Sequence, residues 1–205
     1  LPIYEKDFVV EYAEYEDAPV EKLELRTIGN NTAGCKIGFD AGGSDRKVSA
    51  VIDGKTVYSE EILWFPKLNE DPDYHYREIV SAFKTAASKM PKVDGIGVSS
   101  AGIHIDNRTM ASSLFIKVPE NLMEKVKSIY INTAREIGNI PLTVANDGDV
   151  TALAGMMATG KTGILGIAMG TSEAAGYVNG KGKITGWLNE LAFAPVDANP
   201  DGTID

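Results

Sequence analysis

Four short stretches place acidic, hydroxyl and glycine residues where they could do chemistry. The first is Asp40-Ala41-Gly42-Gly43-Ser44, which ends the apolar run begun at Cys35. A strand would deliver Asp40 to its carboxyl end. Gly42 and Gly43 would let the backbone approach a ligand, and successive N–H groups could form an anion-binding concavity beside the Ser44 hydroxyl. Asp40 could hold Mg²⁺ through water, since that ion takes one or two carboxylates together with substrate phosphate. The same residues also fit a plain turn with a solvated aspartate. The spacing of a P-loop is absent.

The second stretch is Asn146-Asp147-Gly148-Asp149, between the apolar run "PLTVA" and a helical pattern. Ligands of α/β folds gather at strand carboxyl ends. A carboxylate there, such as Asp147, could take the proton of a hydroxyl that attacks a phosphoryl group. Helix capping, worth about 1 kcal/mol, explains the same residues. The third stretch, Gly170-Thr171-Ser172-Glu173, follows the run "GILGIAM" and could form a second phosphate-facing turn, although the Glu173 carboxylate would repel phosphate. An ordinary hairpin of small residues fits it equally. In the fourth, "WLNELAF", Glu190 could bind a sugar hydroxyl or simply face solvent. His75 and His104 have no ligand-spaced partners, so neither is read as a metal ligand.

These residues need elements to position them. "CKIGFD" reads as a strand. Val48, Ala50 and Ile52 share one face at period 2, Asp53-Gly54 supplies a two-residue turn, and "KTVYSEEI" returns, so a three-strand antiparallel meander is expected. Tyr76, Ile79, Val80, Phe83, Ala87 and Met90 mark one helical stripe that Pro91 ends. "VDGIGVSSAG" is expected as a buried strand. A helix is expected from Pro119, in its first turn, to Gly138, with Leu122, Val126, Ile129, Thr133 and Ile137 on one face. The strand "IPLTVAND" and a short helix closing at Gly160 follow. After these come a hairpin, a Gly-rich turn and a further strand. "FVVEY" could form a short strand within residues 1–34, which carry eight acidic and three basic residues and read as an appendage, paired to a sheet edge or loosely ordered.

Composition narrows the classes. The 205 residues are 43% hydrophobic and carry a net charge of −9. An acidic chain without a dense basic patch argues against nucleic acid as a partner. No apolar run nears the roughly 18 residues of a membrane span, and the first residues lack a signal-peptide layout. Cys35 is the one cysteine, which rules out an intrachain disulfide and a cysteine-based zinc site and fits a cytoplasmic location. No Gly-x-Ser-x-Gly elbow is present, and no Gly-x-Gly-x-x-Gly opens a helix.

Taken in order, the motifs resemble the acetate and sugar kinase, heat-shock cognate and actin superfamily, and more closely the ROK family of sugar kinases and repressors. "GFDAGGSDRKVSAVIDG" is similar to its first phosphate motif, "VDGIGVSSAGIHIDNRTM" to its sugar-side strand and loop, and "VANDGDVTALAG" to its Asn-Asp helix start. "GIAMGTSEAAGYVNGKGKITGWLNELAF" is similar to its second phosphate hairpin and sugar loop. The resemblance implies an α/β, actin-like ATPase (ribonuclease H-like) domain with a mixed sheet. It places an acidic extension at 1–34, a small domain at 35–145 and, at 146–205, the first part of a second, similar domain.

The resemblance further implies an ATP-dependent sugar kinase that uses Mg²⁺ and a small-molecule sugar, with no membrane partner; it leaves a homodimer open. Asp40 would position Mg²⁺, and Gly42, Gly43, Ser44, Gly170 and Thr171 would face phosphates. Asn146, Asp147 and Glu190 would bind sugar, with Asp147 as general base. Ser172, Glu173 and Ala174 stand where the family has more glycine, and Phe193 where it has histidine. These departures favour the rival expectation, a sugar-sensing or interaction protein on the same fold that has lost phosphoryl transfer.

Overall fold

The structure is a computed structural model that describes residues 2–7, 9–20, 25–28, 31–169, 173–185 and 191. Its centre is a mixed five-stranded sheet. Strands β1 (Cys35–Ala41), β2 (Asp45–Ile52) and β3 (Lys55–Leu63) form the expected antiparallel meander. Asp53 and Gly54 turn it with φ of 47° and 77°, the twist that a two-residue hairpin needs. Helix α1 (Pro72–Ala87) then crosses to β4 (Gly95–Ser100), which lies parallel to β1.

The chain next makes a small hairpin, β5 (Ile103–Ile105) and β6 (Arg108–Ala111), and two short helices, α2 (Met123–Lys127) and α3 (Ile129–Arg135). Strand β7 (Leu142–Asn146) pairs parallel to β4 and completes the sheet order β3-β2-β1-β4-β7. Helix α4 (Asp147–Thr159) and the hairpin β8 (Ile164–Met169) and β9 (Glu173–Val178) follow. This is the α/β, actin-like arrangement that the motifs imply.

Period-2 alternation sends Ile37, Phe39, Val48, Ala50, Ile96, Val98 and Val144 to one face of the sheet. There they bury against Ile79 and Phe83 of α1 and Ile129 and Tyr130 of α3. The α1 stripe is centred slightly off the sequence reading. His75, Ala82 and Ala86 are buried, while Tyr76, Val80 and Ala87 are half-buried. Cys35 is buried at the start of β1. A second, smaller cluster joins Ala152, Leu153 and Met156 of α4 to Val178 and Ile184.

Three expectations are corrected. The helix from Pro119 to Gly138 is broken: Pro119 caps a 3-10 turn at Glu120–Leu122, and Ser128, at φ −104° and ψ 16°, separates α2 from α3. Among the described residues, the further strand expected after the Gly-rich turn reduces to Ile184, which bridges Val178 and Arg26. Residues 9–14 form no strand. The acidic extension is tied down by charge instead. Glu5 forms a two-pronged pair with Arg108 and a third bond to Lys127, which pull its carboxyl down to about 2.

Candidate functional site

The carboxyl ends of β1, β4 and β7 lie side by side, so Asp40 pairs in register with Ser99, and Ser100 with Asn146. The turn Gly42–Ser44 leaves the end of β1, and α4 leaves the end of β7 at Asp147. The fold thus brings the first two stretches to one edge of the sheet, where α/β proteins gather ligands. Asp40 points to the sheet face opposite the core. There it neighbours Lys47 across the β1–β2 ladder and lines a groove of about 810 Å³ with Gly97, Ser99 and residues of α4 such as Val150.

The turn has a definite orientation. Its carbonyls face inward: the Trp64 indole donates to the Gly42 oxygen at 2.7 Å, and the Trp64 amide donates to the Ser44 oxygen at 3.0 Å. Among the described residues, nothing accepts a hydrogen bond from the amides of Gly42, Gly43 or Ser44. A Cβ on Gly42 would sit 2.6 Å from the Asp45 carbonyl oxygen, so glycine there serves the compactness of the turn. Asp45, Arg46 and Lys47 lie beyond the turn and begin β2. Arg46 is buried against Glu78, with its Nε 2.9 Å from Oε2, and Lys47 is bonded to Asp45 at 2.7 Å. That bond, with the charges of Glu61 and Asp40, holds the Lys47 ammonium pKa up.

Asn146 is the N-cap of α4. Its Oδ1 accepts from the Gly148 amide at 2.8 Å, and its Nδ2 donates to the Gly102 carbonyl at 3.0 Å. Capping is therefore its structural task, and the amide also ties α4 to the β4–β5 turn. Gly102, at φ 113°, has no alternative, because a Cβ would meet the Ala111 oxygen at 2.1 Å. Asp147 accepts from the Gly148 amide at 3.1 Å. Its pKa is raised above the ordinary aspartate value, first by burial and then by the negative charge of Asp40, against the lowering effect of the backbone amides.

Behind this edge lies a buried polar chain that the sequence reading did not single out. Tyr130 donates to Ser100 Oγ at 2.8 Å, His104 Nε2 bonds the Ser100 carbonyl at 3.0 Å, and His104 Nδ1 faces the Thr109 hydroxyl at 3.3 Å. Burial lowers the His104 pKa and raises that of Tyr130. Both stay neutral at pH 7, with the His104 proton on Nε2. Among the described residues no group of His, Cys, Asp and Glu could hold a metal ion by itself. Gly170, Thr171, Ser172, Glu190 and Phe193 lie outside the described residues. Glu173 opens β9 opposite Met169.

The fold has solved relatives among the sugar kinases. ROK hexokinase from Thermus thermophilus is similar at a TM-score of 0.60 and 18% identity, over 83% of this chain and 57% of that one. A ROK family protein from Streptococcus pneumoniae in complex with sucrose gives 0.55 and 16%, over 82% and 55%. Hexokinase from Schistosoma mansoni complexed with glucose gives 0.50 and 16%, over 83% and 44%. The chain spans about half the length of these proteins. No family model matches the chain, and no curated protein matches it in sequence. At these identities the likeness establishes the actin-like, hexokinase-type fold. No described helix is long and apolar enough to cross a membrane.

Proposed function

We propose that the protein is a ROK-type sugar kinase that transfers the γ-phosphoryl group of ATP to a sugar hydroxyl. One observation carries this reading. A turn with inward carbonyls, whose amides have no partner among the described residues, lies at the same sheet edge as two carboxylates, Asp40 at the end of β1 and Asp147 after β7, with β4 between those strands. Partnerless amides suit phosphate oxygens, and a half-buried carboxylate of raised pKa suits a general base. The sucrose and glucose held by two of the similar proteins support a sugar as acceptor.

In this scheme Gly43 and Ser44 hold phosphate oxygens, and Lys47 offsets charge beside them. Asn146 and Asp147 orient the acceptor, and Glu190 would add a further sugar contact. As the hydroxyl oxygen bonds to the γ-phosphorus, the bond to the leaving ADP oxygen breaks and the proton passes to Asp147. Asp40 fits a water-mediated Mg²⁺ at the edge of the groove; when bound, Mg²⁺ neutralises charge on the phosphate oxygens. Gly170 and Thr171 would complete the phosphate contacts. The segment from residue 146 onward would then begin a second, nucleotide-side domain.

The decisive experiment is Asp147→Asn in the full-length protein, assayed by ADP release over a sugar panel. The expected result is a loss of kcat of at least about 100-fold with an unchanged circular dichroism spectrum. Unchanged turnover would remove Asp147 from the mechanism. Glu173, at the start of β9, favours a second reading, a sugar-binding protein without transfer. Sugar-dependent thermal stabilisation with no ADP released would select it.

A further inference from the structure

We infer that Trp64 is the positioning residue of the phosphate turn, and that its indole N–H sets the direction of the Gly43 amide. The inference rests on the phosphate-binding reading of that turn. Its basis is the planarity of the peptide group, in which the carbonyl of one residue and the N–H of the next point in opposite directions. The Gly42 carbonyl is fixed toward the indole at 2.7 Å, so the Gly43 N–H is fixed away from it. The Trp64 amide holds the Ser44 carbonyl at 3.0 Å, so one residue grips the turn at both ends.

The grip is rigid because Trp64 is itself immobilised. It is 1% exposed, and its ring meets Phe39 and His75 edge-on, each with centroids 6.4 Å away. His75 is in turn wedged against Phe115 at 5.0 Å. Glycine would otherwise let this segment sample many conformations. A loop that must present N–H groups to an anion gains affinity when that freedom is removed in advance. No side chain of the turn does this. Trp64, twenty residues along the chain from Ser44, does it through backbone carbonyls.

The test uses the full-length protein and two substitutions. Trp64→Phe keeps an aromatic ring but removes the donor. Phe39→Leu thins the packing under the indole but leaves the donor in place. The order parameter of the Gly43 amide, from ¹⁵N relaxation, is expected near the rigid value of about 0.85 in the wild type and in Phe39→Leu, and below about 0.6 in Trp64→Phe. Titration with inorganic tripolyphosphate and Mg²⁺, followed on the Gly43 and Ser44 amides, is expected to weaken about fivefold in Trp64→Phe alone, as for the loss of one neutral hydrogen bond.

An unchanged order parameter in Trp64→Phe overturns the inference. So does equal loosening in both variants, which would mark general packing as the cause. If tripolyphosphate moves neither amide in the wild type, the phosphate reading of the turn fails, while the relaxation data still decide whether Trp64 orients it.

Discussion

At the scale of single residues, burial and a like charge act together on Asp147 against its backbone hydrogen bonds. Asp147 is partly desolvated and lies within the field of Asp40, and both effects favour its protonated form. In the proposed role of general base it must be ionised, so kcat/KM should fall as pH drops through its raised pKa, at a higher pH than an ordinary aspartate would give. Asp40→Asn removes the like charge and leaves the burial. The Asp147 carboxyl should then titrate at lower pH, as followed by ¹³C NMR of its side-chain carboxyl; an unmoved titration would show that burial alone sets it. Asp40, Asn146 and Asp147 were legible in the sequence because each follows an apolar strand pattern, so that position alone suggested a site. Trp64 and Gly102 were not. What they do is defined by backbone carbonyls at Gly42 and Ala111, and a sequence does not show which carbonyl will face them.

At the scale of elements, the meander and α1 followed from an apolar alternation or stripe, and β4, β7 and α4 from short apolar runs with marked ends. The β5–β6 hairpin did not. Its strands are only three and four residues long, and its turn, Asp106-Asn107, reaches φ of 51° and 63° without the glycine that usually signals such a turn. The hairpin nevertheless finishes the sheet. Strand β7 lies at the edge, and Asn107 pairs with it as a further strand would: Nδ2 donates to the Leu142 carbonyl at 3.0 Å, and Oδ1 accepts from the Val144 amide at 2.8 Å. Asn107→Gly keeps the backbone free to adopt the positive φ but removes both bonds. It should cost about 1–3 kcal/mol in urea unfolding. Asn107→Ala should cost about 1 kcal/mol more, because a Cβ strains the left-handed conformation. Equal losses would mean that the hydrogen bonds, and not the turn, set the cost. The helix expected over 119–138 broke for a reason that periodicity does not register. Its apolar face is continuous through Val126 and Ile129, and the interruption lies in the backbone at Ser128.

At the scale of the whole molecule, the two histidines link fold stability to pH. Neither has a ligand-spaced partner in the sequence, and both are packed among other side chains in the fold. His75 lies among Trp64, Tyr74 and Phe115, with Asp71 the nearby charge; His104 lies among Ser100, Thr109 and Tyr130. Burial lowers the pKa of each below 6.5. Between the unfolded value and the lowered folded one, the unfolded chain binds the extra protons, so stability decreases as pH is lowered across that interval. It is therefore fully present above about pH 6.5, declines below it, and levels off once the folded histidines also titrate. The paired carboxylates Glu5, Asp94 and Glu136, whose folded pKa values are depressed, lose their contribution only at lower pH. Asp147, raised, acts with the opposite sign from the ordinary aspartate value upward. The two windows separate the causes. His75→Phe, which suits the aromatic surroundings, should reduce the pH dependence of the urea midpoint just below about pH 6.5 and leave the acid limb unchanged. An undiminished slope in that variant would assign the dependence to His104, and with it to the polar chain behind Ser100.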